Sequence, residues 1–417
     1  MMKHSPIVVA LSAATLGLAT GAAQGAGFQL LEQNASGLGN AYAGSAAVAE
    51  NASTIYFNPA GMAYLPGLSV SGGVTAIKPS FKFKDDGNST RPLAAPGALG
   101  GNGGDAGKWG VVPNAYLAWQ IDNRWNVGVG LGAPFGLMTH YQGDWVGQYH
   151  SRKFEIQTIN VNPSVSYKVN EQWALGVGVN YQRIDAEYTR TAVVAPGLSR
   201  EATVKMDGDA WGWNAGVMFQ PTPATRIGLS YRSKVKHDVD GHTDLAGIGS
   251  FDAQASVDLP DSAILSAYHQ LNSRWELLGD VSWTGWSSIP ELKINNTGIP
   301  GDTLHLDFRD TWRVALGANY KVNEAWKLKF GVAWDQSPVH EAADRPTSLP
   351  DNDRWWFSTG VQFQAGKNTT VDVGYTYLYL DKTRINNTGE SLAQKGRVSG
   401  EYTSNGNIFG VQVSSRF

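Results

Sequence analysis

The stretch IDNRWNVGVGL, residues 121–131, recurs with small changes as VNEQWALGVGV at 169–179, LNSRWELLGDV at 271–281 and VNEAWKLKFGV at 322–332. Each copy has an aliphatic residue, Asp or Asn, two further residues, Trp, and then a run in which every second residue is apolar. Asp and Asn at such positions are typical of tight turns, and the alternation is typical of β-strands. The repeat therefore predicts β-hairpins.

Two further turns lack the Trp: FQPTPATRIGL at 219–229 and FQAGKNTTVDV at 363–373. The six turns recur at intervals of about fifty residues, which fits two strands and a long loop. Six turns join twelve strands, and residues 68–83 and 402–417 supply one strand before and one after. The sequence thus predicts fourteen antiparallel strands with short turns at one end and long loops at the other.

Each predicted strand has one apolar face and one polar or small face. After Trp326, for example, Phe330 and Val332 alternate with Lys329 and Gly331. In a soluble sandwich the apolar face would point to a packed core, whereas in a membrane barrel it points to lipid. Aromatic residues at the strand ends suit the two membrane interfaces, and isolated charges suit a hydrated lumen. We therefore predict an all-β protein, a fourteen-stranded antiparallel transmembrane β-barrel.

Residues 1–25 have the features of a cleaved secretory signal peptide. A cationic start precedes an apolar run over residues 7–19 and then small residues, with Ala23 and Gly25 suited to signal peptidase. The run is shorter than the roughly 20 residues of a membrane-spanning helix. We expect export to the outer membrane of a Gram-negative cell, contact with its lipid and lipopolysaccharide, and insertion by the barrel assembly machinery, because Phe417 on an amphipathic last strand resembles the assembly signal.

Composition excludes several functions. The sequence has no Cys, so it has neither disulfides nor a thiolate site, and its net charge of −3 gives no support to nucleic-acid binding. No G-x-S-x-G motif is present, and we expect no enzymatic activity, cofactor or metal. The stretch HDVDGHTD at 237–244 has metal-ligand residue types, but it lacks EF-hand spacing and is expected to lie in a solvated loop.

Residues 26–67 precede the first strand and lack strand periodicity. The lumen of a fourteen-stranded barrel is too wide for wall side chains alone to fill. We therefore expect this segment to fold as a hatch inside the lumen of a barrel formed by residues 68–417. Asn58, Pro59 and Ala60 are expected to form a rigid turn that anchors the hatch against the wall.

AGFQLLEQNASGLGNAYAG at 26–44 and NPAGM at 58–62, with WGWNAGVMF, FRDTWRVALG and LPDNDRWWFSTG in order further along, resemble the FadL family of outer-membrane long-chain fatty acid transporters. That family also includes importers of aromatic hydrocarbons. The resemblance implies a fourteen-stranded barrel with an N-terminal hatch. It also implies stepwise transport: an amphipath enters from outside, binds an inner pocket, moves the hatch, and leaves sideways into the bilayer through a kink in the third strand.

The resemblance assigns roles to individual residues. Arg190 and Arg309 match the family's pocket cations for a carboxylate head group. Ala133 stands where the family has a small hydroxyl residue, which weakens that contact. Phe28 matches a ring that couples ligand arrival to hatch movement.

The kink is expected at Gly132, Pro134 and Gly136, because Pro cannot donate a hydrogen bond to the neighbouring strand. The alternative is that Pro134 only ends the strand where a loop begins.

Two functional alternatives remain open at this point. The ligand could be an aromatic hydrocarbon instead of a long-chain fatty acid, and a general aqueous porin is the less favoured reading. The sequence leaves open the ligand's chain length, any acyl-activating partner and a role as phage receptor. A monomer is expected.

Overall fold

The computed structural model describes residues 27–387 and 391–417, so the predicted signal peptide lies outside the described residues. Within them the chain forms twenty strands: β1 (Leu68–Asp85), β2 (Gly110–Gln120), β3 (Trp125–Gly132), β4 (Gly136–His140), β5 (Lys153–Lys168), β6 (Trp173–Ala195), β7 (Leu198–Thr222), β8 (Thr225–Arg232), β9 (Val235–Leu245), β10 (Gly249–Leu259), β11 (Ser262–Gln270), β12 (Trp275–Thr284), β13 (Glu291–Asn296), β14 (Asp302–His305), β15 (Thr311–Lys321), β16 (Trp326–Asp335), β17 (Arg354–Gln364), β18 (Thr369–Leu380), β19 (Thr383–Asn387) and β20 (Val398–Arg416).

In residues 27–387 and 391–417, helical structure is limited to short turns. They are an α-helical turn at Thr54–Phe57 and 3-10 turns at Leu38–Asn40, Pro59–Tyr64 and Trp286–Ser288. In the described part of the chain, none of the helices has the length and apolar character needed to cross a bilayer.

These strands form a closed barrel of fourteen wall strands. Four wall strands are interrupted and count once each, namely β3 with β4, β8 with β9, β10 with β11, and β18 with β19, while β13 and β14 form a hairpin in a loop. Neighbouring strands pair antiparallel, and the first pairs with the last, from Ser69 opposite Arg416 to Asp85 opposite Gly400. The predicted fourteen-stranded antiparallel barrel is confirmed.

The repeated turns have one hydrogen-bonding pattern. Asp122, Asn170, Asn272 and Asn323 each accept a hydrogen bond from the backbone N–H of the Trp three residues later, at 2.8–3.0 Å. The side chain thereby closes the turn locally. These turns define the short-turn end of the barrel, and the opposite end is the long-loop end.

The turn tryptophans form part of an aromatic band on the outer surface. Each packs against a ring of the neighbouring strand with centroids 4.3–4.8 Å apart: Trp125 against Tyr167, Trp173 against Phe219, Trp275 against Tyr320 and Trp326 against Phe363. Such cross-strand pairs stabilise the sheet, and amphipathic rings suit the membrane interface.

Burial along the strands separates an apolar outside from a polar inside. In β16, Phe330 is 44% exposed while Lys329 is 2% exposed. In β20, Phe409, Val411 and Val413 are exposed in the same alternation. The apolar rows therefore point outward, as expected for a barrel wall that faces lipid.

Residues 27–67, called the N-terminal segment below, lie inside the lumen, because they hydrogen-bond to wall strands all around it. Asn40 donates to Asn319 of β15 at 2.8 Å, and Ala52 donates to Ser71 of β1 at 3.2 Å. The packing is close: a Cβ added to Gly331 would lie 2.1 Å from the carbonyl carbon of Asn40. The wall backbone and the segment backbone are thus in direct contact.

The stretch 237–244 is not a loop, and that expectation was wrong. It lies within β9, where His237 and Val239 are buried and Asp238 and Asp240 are exposed. In the part of the chain that the structure describes, no group of three or more His, Asp or Glu side chains is placed to hold a metal ion. The alternation with Val at every fourth position was the signal for a strand.

Candidate functional site

A large apolar cluster, called the lumen cluster, fills the half of the lumen nearer the long-loop end. It joins the start of the N-terminal segment to the inner faces of β4, β5, β6, β7, β9 and β10 and to the long loops. Its aromatic members are Phe28, Phe135, Phe154, Tyr188, Trp286 and Phe308. Its aliphatic members include Ile156, Ile184, Val204, Val239, Val257 and Leu259. This part of the lumen offers an alkyl or aryl ligand a largely apolar environment.

Phe28 lies at the centre of the lumen cluster. Its ring makes edge contacts with Trp286 and Phe135, at centroid distances of 4.8 and 6.0 Å. The preceding residue, Gly27, donates its N–H to Asp351 at 3.0 Å. A Cβ on Gly27 would lie 2.7 Å from the Trp286 ring, so this position is restricted to glycine in the present packing.

The third wall strand is broken between β3 and β4. Gly132 faces Asn160 and Gly136 faces Gln157, so residues 133–135 stand opposite only two residues of β5. This extra residue is a bulge, and bulges bend a strand and interrupt its pairing. The two predicted kink glycines therefore flank the break, and Pro134 lies within it.

The N-terminal segment pairs with the backbone of the break. Leu30 donates its N–H to the Pro134 carbonyl, and Gly136 donates to the Phe28 carbonyl, both at 2.8 Å. Residues 28–30 therefore act as a short added strand on the inside of the wall. Residues 28–30 therefore contact both the lumen cluster, through the Phe28 ring, and the break, through their backbone.

Ala133 is held by the side chain of Gln33. The Gln33 amide donates to the Ala133 carbonyl at 2.7 Å and accepts from the Ala133 N–H at 3.2 Å. Tyr116 of β2 in turn donates to the Gln33 carbonyl at 2.7 Å. The side chain of Gln33 thus satisfies both backbone groups of Ala133.

On its other side, the break faces an unpaired stretch of β2. Pairing of β2 with β3 stops at Ala115 opposite Leu131, and in the described chain no strand pairing joins residues 110–114 to β3 or β4. Above this stretch a single bridge joins Gly107 to Thr139. The wall therefore contains a window between β2 and the break, bounded by hydrogen bonds above and below.

Arg190 lies near the long-loop end and contacts an acidic side chain. Its Nε donates to Asp302 at 2.7 Å, and Lys395 lies 3.0 Å from the same carboxylate. Burial raises the pKa of Asp302, but Arg190 and Lys395 outweigh that and hold the pKa below its ordinary value. A ligand carboxylate at Arg190 would compete with Asp302.

Arg309 lies in the loop between β14 and β15, whereas Arg190 lies in β6. Its Nε donates to the Ser337 carbonyl at 3.1 Å, and its guanidinium lies 3.7 Å from Asp353. Arg190 and Arg309 share none of the partners named here. Each is a partly buried cation near the rim of the lumen, and each already has an acidic neighbour.

Asn58, Pro59 and Ala60 form a turn against the wall. The Asn58 side chain accepts from the Ala60 N–H at 3.1 Å and donates to the Val217 carbonyl of β7 at 3.1 Å. A Cβ on Gly216 would lie 2.0 Å from the Asn58 oxygen, so the wall has no side chain where the turn meets it.

Comparison with known proteins agrees with this architecture. Residues 16–417 match the family described as outer membrane protein transport protein (OMPP1/FadL/TodX). The chain belongs to this family. FadL-family membership confirms the predicted family and the outer-membrane location, and it makes the protein a transport channel for hydrophobic compounds and not an enzyme.

Several FadL-family relatives span nearly the whole chain. The long-chain fatty acid transport protein of Salmonella typhi is 30% identical, covering 89% of this chain and 92% of that protein. Outer membrane protein P1 of Haemophilus influenzae is 30% identical and covers 98% of both. The 47 kDa outer membrane protein of Pasteurella multocida is 32% identical over the full length of both.

Solved structures agree with the FadL-family fold. A Pseudomonas aeruginosa FadL homologue has a TM-score of 0.86 at 26% identity, covering 94% of this chain and all of that one. The Ralstonia pickettii toluene transporter TbuX has a TM-score of 0.66 at 17% identity, covering 93% of this chain and all of that one, which shows the fold alone.

The structure brings some of the predicted FadL-family site residues together and leaves others apart. Phe28, Ala133, Pro134 and Gly136 meet at the break, whereas Arg190 and Arg309 lie in separate loop contacts. Sequence reasoning missed Gln33, whose amide bonds the bulge. Its only signal is its place in the non-periodic leading segment, which does not reveal a partner a hundred residues away.

Proposed function

We propose that this protein imports long-chain fatty acids across the outer membrane, with the N-terminal segment acting as a hatch. The observation that supports this most directly is that residues 28–30 join the lumen cluster to the break in the wall. A tail that enters the lumen cluster competes with the Phe28 ring for its apolar contacts. Loss of those contacts weakens the two backbone hydrogen bonds at Pro134 and Gly136, and the window is freed.

Sideways exit suits an apolar solute. A tail that passed through a hydrated lumen to the periplasm would expose each CH₂ to water at a cost of about 0.8 kcal/mol. The window between β2 and the break instead faces the bilayer beside the lumen cluster. The ligand therefore leaves into lipid without its tail crossing water.

Two features favour a fatty acid over an aromatic hydrocarbon. Arg190 and Arg309 place cations near the lumen entrance, and an arginine fork can pair both oxygens of a carboxylate. The relatives of about 30% identity include proteins called long-chain fatty acid transport proteins, whereas the toluene transporter is 17% identical. The six rings of the lumen cluster are the observation that favours the aromatic alternative.

Uptake in a host strain that lacks its own fatty acid transporter tests the proposal. We expect radiolabelled oleate to enter cells that express this protein, and toluene to enter no faster than in cells with an empty vector. Arg309→Ala should reduce oleate uptake more than uptake of an uncharged hydrocarbon. Rapid toluene entry without oleate entry would reverse the choice between the two ligands.

The porin alternative is tested by conductance in planar bilayers. Because the N-terminal segment fills the lumen, the intact protein should conduct little, and deletion of residues 26–60 should open a large channel. A large current through the intact protein would contradict the hatch.

A further inference from the structure

Two adjoining cavities lie between the N-terminal segment and the wall, on the short-turn side of the lumen cluster. Both are lined by Gln29, Leu31, Ser262 and Ile264, so together they form one cleft, called the lower cleft below. Their volumes are about 20 and 30 Å³, each enough for about one water molecule. Gln29 and Leu31 line the cleft, and they belong to or directly follow residues 28–30, which pair with the break.

The two ends of the lower cleft differ in charge. At one end, Arg313 lies 3.6 Å from Asp280 and donates to the Ala41 carbonyl at 2.6 Å, so an acid accompanies the cation. At the other end lies Arg232, which donates to Asn180 and, at 3.0 Å, to the Tyr56 carbonyl, while its guanidinium stacks on the Tyr56 ring at 4.2 Å. Within residues 27–387 and 391–417, no Asp or Glu oxygen lies within the 4.0 Å of an ion pair with Arg232.

A free hydrogen-bond donor lies beside Arg232. Asn214 lines the same cavity and is 3% exposed. Its oxygen accepts from Asn162 and Asn180 at 2.9 and 3.0 Å, which fixes the orientation of the amide. Its NH₂ group therefore points away from both donors, and among the described residues it has no hydrogen-bond partner. A buried unpartnered donor is costly, and here it stands next to a cation that has no acid.

A polar path leads from this end of the cleft to the break. Asn180, which bonds Arg232, also accepts from Asn160 of β5 at 3.1 Å. Asn160 faces Gly132, the residue at which β3 ends. A polar head group can therefore move from Arg232 to the break along side chains that hydrogen-bond to it, while the tail stays among apolar residues.

We infer that Arg232 and Asn214 form a second, deeper carboxylate site, which the fatty acid head group occupies after residues 27–33 move and before it leaves through the window. This inference rests on the proposed function. The donor set fits the ligand, since a guanidinium and an amide N–H can bond the two oxygens of one carboxylate. In the present conformation Gln29 and Leu31 fill the space that the head group would take, so the site forms only when the hatch moves.

Uptake of oleate and of oleyl alcohol, which has the same tail without the charge, tests the site in intact cells. Arg232→Gln should lower the ratio of oleate to oleyl alcohol uptake about tenfold, the loss expected for one hydrogen bond to a charged group. Arg232→Lys should retain most of the ratio because it keeps the charge. Asn214→Asp should lower oleate uptake selectively by repulsion, which gives a second test if Arg232→Gln fails to assemble.

Arg226→Gln is the matched control. Arg226 lies on the same strand and stacks on Tyr64 and Tyr268, at 5.5 and 4.7 Å, but it is not among the lining residues of the lower cleft. If an arginine only supports the N-terminal segment, its replacement should reduce oleate uptake and oleyl alcohol uptake by the same factor. If Arg232→Gln leaves the ratio of oleate to oleyl alcohol uptake unchanged, as expected for Arg226→Gln, the deeper site is rejected while import stands. If the unmodified protein imports no oleate, the proposed function itself is rejected.

Discussion

The two parts of the N-terminal segment are held in the lumen by different forces. Residues 27–33, called the arm, contact the wall through backbone pairing and the Gln33 amide at one break and through the ring of Phe28. Residues 34–67, called the body, pack apolar side chains such as Leu38 and Ile55 against the wall and also bind it through charged and amide groups on many strands. An apolar ligand can replace the ring contacts of the arm, whereas the body is also held by buried ion pairs that such a ligand cannot replace.

The body is fixed by buried polar contacts on several sides of the lumen. Lys329 of β16 lies 2.9 Å from both Glu50 of the body and Asp372 of β18, and it donates to the Ser36 carbonyl. Asn58 bonds β7 on another side. Removing such a contact leaves a buried group unpaired, which costs more than separating two rings. This difference suggests that gating involves the arm while the body stays in place.

The largest effect should come from fixing the arm. Gln29 and Phe135 face each other in a single antiparallel bridge, and the chain has no Cys, so Gln29→Cys with Phe135→Cys would form the only disulfide. We expect oleate uptake to fall to the level of cells without the protein and to recover on reduction, because the arm could no longer leave the break.

The matched control for this disulfide lies in the continuous seam between β1 and β20. Ala76 faces Phe409 there, so Ala76→Cys with Phe409→Cys should cross-link without changing uptake. Full uptake with a verified disulfide between the arm and the break would show that the arm does not move.

An intermediate effect should come from weakening the body. Lys329→Met leaves Glu50 and Asp372 buried without their cation, and we expect a loss of about 3–5 kcal/mol in the free energy of unfolding. Urea unfolding in detergent micelles measures it. Lys327→Met is the control, since its pair with Glu276 is partly exposed and should contribute about 1 kcal/mol or less. Equal losses would show that the buried pairs of Lys329 do not fix the body more firmly than a partly exposed pair would.

The smallest effect should come from the charge state of Glu32 in the arm. Among the described residues, no other residue donates a hydrogen bond to its two buried carboxylate oxygens. Burial raises its pKa to about 8, although its own backbone N–H, Arg354 and Arg313 oppose this. With the arm released, the pKa should return to the ordinary 4.5. Docking of the arm is therefore strongest below 4.5 and weakens as the pH rises from 4.5 to about 8.

A spin label on Gln29→Cys reports this change by electron paramagnetic resonance. The mobile fraction should rise with pH over that range, and Glu32→Gln should make it independent of pH. A mobile fraction that rises equally in the Glu32→Gln variant would assign the change to another group.

The features predicted from sequence are those written into local patterns. The Asp or Asn three residues before each Trp gives the turn, and the alternation after it gives the strand and its lipid face. The stretch 237–244 was wrongly predicted as a loop, because the prediction rested on its polar residue types and not on its alternation.

The contacts inside the lumen could not be predicted from local patterns, because they join residues far apart in the chain. Arg190 and Asp302 are 112 residues apart in the chain, and Lys329 and Glu50 are 279 apart. The leading segment has no period, so its sequence does not state which strands it meets. Gln33 and Arg232 take their importance from partners that only the closed barrel brings near.

The direct contact of the wall backbone with the segment has a consequence for mutational data. Gly331 and Gly216 tolerate no side chain, because the backbone of Asn40 and the oxygen of Asn58 occupy the space it would need. A saturation screen would therefore score both positions as intolerant although neither touches a solute. In this barrel, inner-wall positions that are sensitive to mutation therefore include those that contact the N-terminal segment as well as those along the ligand's route.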